Sequence, residues 1–161
     1  MFEKRQDVVY KCCELKLSQG VMVLSNVMFT SQATAQGGRN GHVKSEDGLI
    51  DLNLAMPGES KEEGSNPEQL FAAAYSACYD GALNLVASKQ KKDIESKITA
   101  DVSLLKDESD NGFKIGVVLN VDVKGVSQEE AEKLAEEAHK VCPYSKATRG
   151  NIDVQLKANA V

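Results

Sequence analysis

An α+β fold built on antiparallel sheet is what this 161-residue chain predicts, and three observations carry the prediction. Alternating apolar stretches come in pairs around turn residues, as hairpins do. Two longer segments carry the 3.6-residue period of helices, and each opens with a capping signature. The hairpins are interleaved with these helices instead of alternating strictly with them, which gives antiparallel sheets around two long central helices.

Length and charge narrow the class. The chain is long enough for one domain with its own core. Its net charge of −5, with signs interspersed, leaves no basic stripe for nucleic acid. No apolar run approaches the ~18 residues of a membrane helix. Glu3, Lys4, Arg5 and Asp7 stand where a signal peptide has its apolar core. A soluble, cytoplasmic protein is expected, with neither nucleic acid nor membrane as partner. In a reducing compartment its four cysteines suggest free, metal-bound or catalytic thiols more than a disulfide framework.

Taken in order, Val8 to Leu17 alternates weakly and suits a short strand. The adjacent Cys12 and Cys13 point to opposite faces of it and are read as incidental. Val27 to Ala35 is rich in strand formers, and Gly-Gly-Arg-Asn-Gly at 37–41 then makes a tight turn with Arg39 at its tip. Short strands follow at His42–Lys44 and Leu49–Leu54 around Asp47-Gly48, with Ile50, Leu52 and Leu54 on one face. Met56 to Ser65 reads as a surface loop and a natural lid.

The stretch from Asn66 to Ser88 predicts one buried helix. Asn66 suits the N-cap, Pro67 the first helical position, and Gln69 completes a capping box. Ser76, Asp80, Asn84 and Ser88 form a narrow polar stripe, and the remaining circumference is apolar. Cys78 faces away from that stripe, into the core. After Lys89, Lys91 and Lys92, an alternating pair runs over Ile98–Leu104 and Phe113–Val123 around Ser-Asp-Asn-Gly, a long hairpin with one buried face. Ser127 and Glu130 open the second helix, whose apolar side is Ala131, Leu134, Ala135, Ala138, Val141 and Cys142 and which Pro143 ends. Asn151 to Ala158 closes the chain as a strand, with Ile152, Val154 and Leu156 inward.

Cys78 and Cys142 thus lie on the apolar faces of the two main helices. They are either unrelated core thiols or a pair that cycles between dithiol and disulfide. A thiolate in such a setting needs a cation, and arginine stays charged when buried. Of three arginines, Arg39 and Arg149 sit beside glycines in tight segments. Glu68 in the first helical turn suits a bidentate arginine partner. On a regular helix, however, Glu68 and Cys78 are ~15 Å apart along the axis. One arginine touches both only if the helix begins later or bends, or if one group comes from a second subunit. His139 and Cys142 are one turn apart but lack the further ligands of a zinc site. A cysteine hydrolase would have only His42 and His139 to draw on.

Three segments together resemble the organic hydroperoxide resistance (Ohr) family of the OsmC superfamily. They are Asn-Pro-Glu-Gln-Leu-Phe-Ala-Ala-Ala-Tyr-Ser-Ala-Cys-Tyr at 66–79, Val-Cys-Pro-Tyr-Ser-Lys-Ala-Thr-Arg-Gly-Asn-Ile-Asp-Val at 141–154, and the glycine-flanked Arg39 turn. The resemblance implies an intertwined homodimer with sites at the subunit interface, which would ease the Glu68 distance. It implies a peroxidase for organic, fatty-acid-type hydroperoxides, with Cys78 peroxidatic, Cys142 resolving, Arg39 activating the thiolate and Glu68 its carboxylate partner. No bound cofactor is implied, and a dihydrolipoyl group, as dihydrolipoamide or on a lipoylated protein, is the external reductant. It makes residues 25–161 a single domain and 1–24 an extension without catalytic role, Met22 or Met28 being more typical starts. Ala74 and Asp80 depart from the family's usual glycine and apolar residue. A lipid-binding module and a redox sensor are the alternatives.

Overall fold

The computed structural model describes residues 27–58 and 63–161. The strand expected within Val8–Leu17, the Cys12–Cys13 pair and the extension over 1–24 lie outside the described residues. The chain divides into two units at Ser31. In the first, the described residues 27–31 form neither helix nor strand, so the strand expected over Val27–Ala35 is confined to the start of the second unit.

The second unit opens with a three-stranded antiparallel sheet: β1 (Ala33–Gln36), β2 (His42–Ser45) and β3 (Asp51–Asn53), in that order. A 3₁₀ turn over Gly38–Asn40 joins the first two strands. At the next turn the Asp47 carboxylate accepts hydrogen bonds from the Ser45 hydroxyl and the Leu49 amide. Leu49, Ile50 and Leu52 are exposed, so this small sheet buries little of its own apolar surface. A bridge from Leu54 to Ser65 then leads into the first helix.

α1 (Pro67–Lys89) starts where the sequence marks it. The Asn66 side chain accepts from the Gln69 amide at 2.9 Å, and the Gln69 side chain accepts from the Asn66 amide at 3.2 Å. β4 (Glu95–Asp107) and β5 (Gly112–Lys124) form the long hairpin, with Ile98 opposite Val121 and Val102 opposite Val117. α2 (Gln128–Val141) carries the expected Ser127–Glu130 capping box. A short helix that the sequence reading missed, α3 (Pro143–Thr148), follows directly. The last strand, β6 (Val154–Ala160), pairs parallel to β5, with Leu156 opposite Leu119. This sheet is therefore mixed, in the order β4-β5-β6, which corrects the expectation of wholly antiparallel pairing.

α1 packs across β4, and α2 packs across β6 and alongside α1. The core between them holds Tyr75, Tyr79 and Leu83 of α1, Leu134 and Ala138 of α2, and Leu119 and Val121 of β5, all essentially without exposure. Burying a side chain such as Leu83 contributes about 1.5–3 kcal/mol. Two details depart from the pattern. The hairpin's apolar face runs past the helices that cover it, so Phe113 is exposed. The first helix is not enclosed on all its apolar sides: Ala73, Ala77, Gly81 and Leu85 face outward. Asp80 of the polar stripe is half-buried and accepts the Ser96 hydroxyl of β4 at 2.5 Å and the Asn84 side-chain amide at 3.1 Å.

Candidate active site

Arg39 is delivered by backbone geometry that glycine alone permits. Gly37 and Gly38 have φ of 83° and 63°, in the left-handed region that disfavours a Cβ. A Cβ on Gly41 would meet the Gln36 carbonyl oxygen at 1.9 Å. The Asn40 side chain accepts the Met56 amide at 3.0 Å, tying the turn to the start of the following loop. From this turn Arg39 donates to both carboxylate oxygens of Glu68, at 2.9 and 2.7 Å, and its Nη1 lies 3.9 Å from the Met56 sulfur.

Glu68 stands in the first turn of α1, where the helix dipole also favours a carboxylate. The Arg39 hydrogen bonds hold its carboxyl below the ordinary value against the opposing effect of burial. The same bonds raise Arg39, which keeps its full charge. The pair helps line a cleft of about 540 Å³, together with Ala72 from α1 and with Ala100, Asp101, Val102 and Leu104 from β4.

The cysteines form a second, separate pair. Cys78 is half-buried on α1, and Cys142 is fully buried at the junction of α2 and α3. The Cys142 thiol lies 3.6 Å from the Cys78 sulfur. Burial pushes the Cys78 thiol up, the Tyr144 backbone amide acts in the opposite sense, and the neighbouring Cys142 adds to the rise. Around them Phe71, Tyr75 and Tyr144 pack with ring centroids 5.8–6.0 Å apart. The Tyr75 hydroxyl is hydrogen-bonded to Ser145 at 2.9 Å and to Thr148 at 3.4 Å.

One chain therefore unites Arg39 with Glu68 and Cys78 with Cys142, but does not join the two pairs. α1 is helical from Pro67 onward, so a later helix start does not shorten the ~15 Å rise between Glu68 and Cys78. No hydrogen bond links Arg39 to Cys78 among the described residues. Arg149 serves another purpose: it donates to the His139 carbonyl at 2.8 Å, fastening the end of α2. His139 Nδ1 is buried without a partner, and its ring is held below the usual value by burial and then by Arg149. Among the described residues no group of three or more His, Cys, Asp or Glu gathers to hold a metal. His42 pairs instead with Asp51 on the small sheet. The Tyr75–Ser145–Thr148 contact was missed in the sequence because Pro143 reads as a stop, although proline equally suits the first position of a new helix.

Residues 58–157 match the family described as OsmC-like protein. The chain is 55% identical over 132 residues to organic hydroperoxide resistance protein OhrB of Bacillus subtilis, covering 81% of this chain and 97% of that one. It is 53% identical over 138 residues to OhrA of the same organism, covering 83% and 98%. The crystal structure of Bacillus subtilis OhrB superposes with a TM-score of 0.80 at 52% identity, over 83% of this chain and all 100% of that one.

Proposed function

The chain belongs to the OsmC-like family, in its organic hydroperoxide resistance branch, and from that premise we propose that it is a cysteine-based peroxidase reducing organic, fatty-acid-type hydroperoxides to alcohols. The observation that carries this reading is the 3.6 Å approach of one half-buried and one fully buried sulfur on two different helices. The Cys78 thiolate attacks the distal peroxide oxygen, the O–O bond breaks, and the alkoxide leaves as alcohol after taking a proton. Cys78 is left as a sulfenic acid. The Cys142 thiol displaces hydroxide from that sulfur, releasing water and forming the disulfide. An external dithiol of the dihydrolipoyl type, free or on a lipoylated protein, then reduces the bond by exchange. Such a cycle suits the reducing cytoplasm.

The reading includes a homodimer. Burial disfavours the Cys78 thiolate, and within one chain Arg39 is engaged elsewhere. A second copy that brought its Arg39–Glu68 pair to this Cys78 would supply the missing positive charge. The outward Ala73, Ala77, Gly81 and Leu85 side of α1 and the sparsely covered β1–β3 sheet support such an intertwined partner. In that dimer the cleft beside Arg39 and Glu68 would adjoin Cys78, and its apolar members Ala72, Ala100, Val102 and Leu104 would favour a greasy hydroperoxide over hydrogen peroxide.

The test is consumption of cumene or linoleic hydroperoxide, against hydrogen peroxide, with dihydrolipoamide. Organic-peroxide turnover is expected to be fast, abolished in Cys78→Ser, and arrested at the sulfenic acid in Cys142→Ser. Slow consumption unaffected by either substitution overturns the reading and leaves a lipid-holding module as the better account.

A further inference from the structure

The cysteine pair is flanked by a second junction between the same two helices. Tyr75 precedes Cys78 by three residues on α1, and Ser145 follows Cys142 by three residues on α3. The Tyr75 hydroxyl, buried at 0% exposure, reaches Ser145 Oγ at 2.9 Å and Thr148 Oγ1 at 3.4 Å. Thr148 Oγ1 in turn donates towards the Tyr144 carbonyl at 3.0 Å, and the Tyr144 ring stacks on Tyr75 with centroids 5.8 Å apart. The helix that carries Cys78 thus grips the helix that begins at Cys142, about one turn from the sulfurs.

We infer that Tyr75 is a positioning residue for closure of the Cys78–Cys142 disulfide, an inference whose consequence for turnover rests on the peroxidase reading above. The sulfurs stand 3.6 Å apart, whereas a disulfide needs about 2.05 Å. Closing that gap inside a packed core depends on where the two backbones are held. Among the described residues Tyr75 holds them through hydrogen bonds to Ser145 and Thr148, with none to either sulfur. In the closing step the Cys142 sulfur bonds to the Cys78 sulfenic sulfur, the S–OH bond breaks, and hydroxide leaves as water with the Cys142 proton. The competing step is attack of the sulfenic acid on a second organic hydroperoxide, which yields sulfinic acid and another alcohol. A slower closure therefore diverts enzyme into irreversible oxidation.

Tyr79 provides the control. Its hydroxyl is equally buried and donates to the Ala135 carbonyl at 2.6 Å, but in the body of α2 and not in α3. The experiment compares wild type, Tyr75→Phe, Ser145→Ala and Tyr79→Phe in three measurements. These are the equilibrium of the disulfide with a glutathione redox buffer, the sulfinic fraction per turnover with cumene hydroperoxide, and the urea unfolding midpoint. Tyr75→Phe and Ser145→Ala are expected to weaken the disulfide by about three- to tenfold and to raise the sulfinic fraction by a similar factor. Tyr79→Phe is expected to lower the midpoint comparably while leaving the disulfide equilibrium at the wild-type value. The inference is overturned if Tyr75→Phe, or Ser145→Ala should Tyr75→Phe not fold, retains the wild-type glutathione equilibrium, or if Tyr79→Phe shifts it as much. Failure of the peroxidase reading looks different: wild type forms the disulfide with glutathione but is not oxidised by cumene hydroperoxide, and the glutathione measurement still decides on Tyr75.

Discussion

The sulfurs of Cys78 and Cys142 lie 3.6 Å apart within one chain, although 64 positions separate them in sequence. The approach is a product of α1 packing against the junction of α2 and α3, and it requires no second copy. Mild oxidation of the native protein with diamide is therefore expected to give an intrachain Cys78–Cys142 bond, seen by peptide mapping and by unchanged monomer mobility on a non-reducing gel. A chain-linked dimer through either of these residues contradicts it.

Removal of Arg39 should be felt at Cys78 as loss of acidity. Burial and the neighbouring Cys142 push this thiol up and outweigh the Tyr144 amide that acts against them, so a net lowering calls for a cation brought to it. In Arg39→Ala the pH profile of Cys78 alkylation by iodoacetamide is expected to move to higher pH. Its rate with cumene hydroperoxide at pH 7 should fall by about tenfold for each unit of that move. Identical alkylation profiles in the two proteins would remove Arg39 from the reaction.

Acid sensitivity should reside partly at the start of α2. Glu130 accepts from Lys92 and from the Ser127 amide and hydroxyl, which together pull its carboxyl from 4.5 down to about 2, the Lys92 contact contributing most. The folded value lies below the unfolded one, so the contribution is complete above about 4.5 and lost as pH falls towards 2. Urea midpoints of wild type and Glu130→Gln should differ at pH 7 and converge as the pH is lowered through this range. A gap that stays constant with pH would assign the stabilisation to something other than the charge.

The proposed homodimer predicts an oligomer-specific defect on the exposed side of α1. A Cβ on Gly81 meets nothing within 4 Å in the single chain, and Ala77 is likewise exposed on this side. Ala77→Lys should leave the fold and the far-UV spectrum intact while shifting sedimentation from dimer to monomer and lowering peroxidase turnover at least tenfold, as expected if Cys78 depends on the partner's cation. A monomeric variant with full turnover would show that Cys78 needs no second subunit.

What was legible in the sequence is what is local. Both capping boxes are three-residue relationships, and both form as read. The β4–β5 register follows from alternation around a turn. The parallel direction of β6 was hidden, because alternation states which side chains face inward and is silent about the direction of the neighbouring strand. Phe113 continued the apolar alternation beyond the reach of the covering helices, so the pattern overran the core.

Within the site, residue types were easier to recognise than their partners. Arg39 and Glu68 were recognisable as a guanidinium in a glycine turn and a carboxylate at a helix start, but 29 positions of chain lie between them. The family resemblance paired them, and they do pair; that the pair would stand away from Cys78 within one chain depends on tertiary placement. Asp80 illustrates the converse: it reads only as a member of a polar stripe, and its partner, Ser96 on β4, comes from a different element.

The parallel strand β6 also sets an order of events during synthesis. β5 acquires this neighbour only after the chain has run through α2 and α3, since parallel strands need a long crossover between them. The β4–β5 hairpin is local and forms early, whereas the β5–β6 pairing is distant in sequence and comes late. Cys142 is carried in on that crossover. A chain emerging from the ribosome thus presents Cys78 before Cys142 has been made, and in this order of events its partner is seated as the crossover and final strand dock, so the redox couple matures with the completed fold.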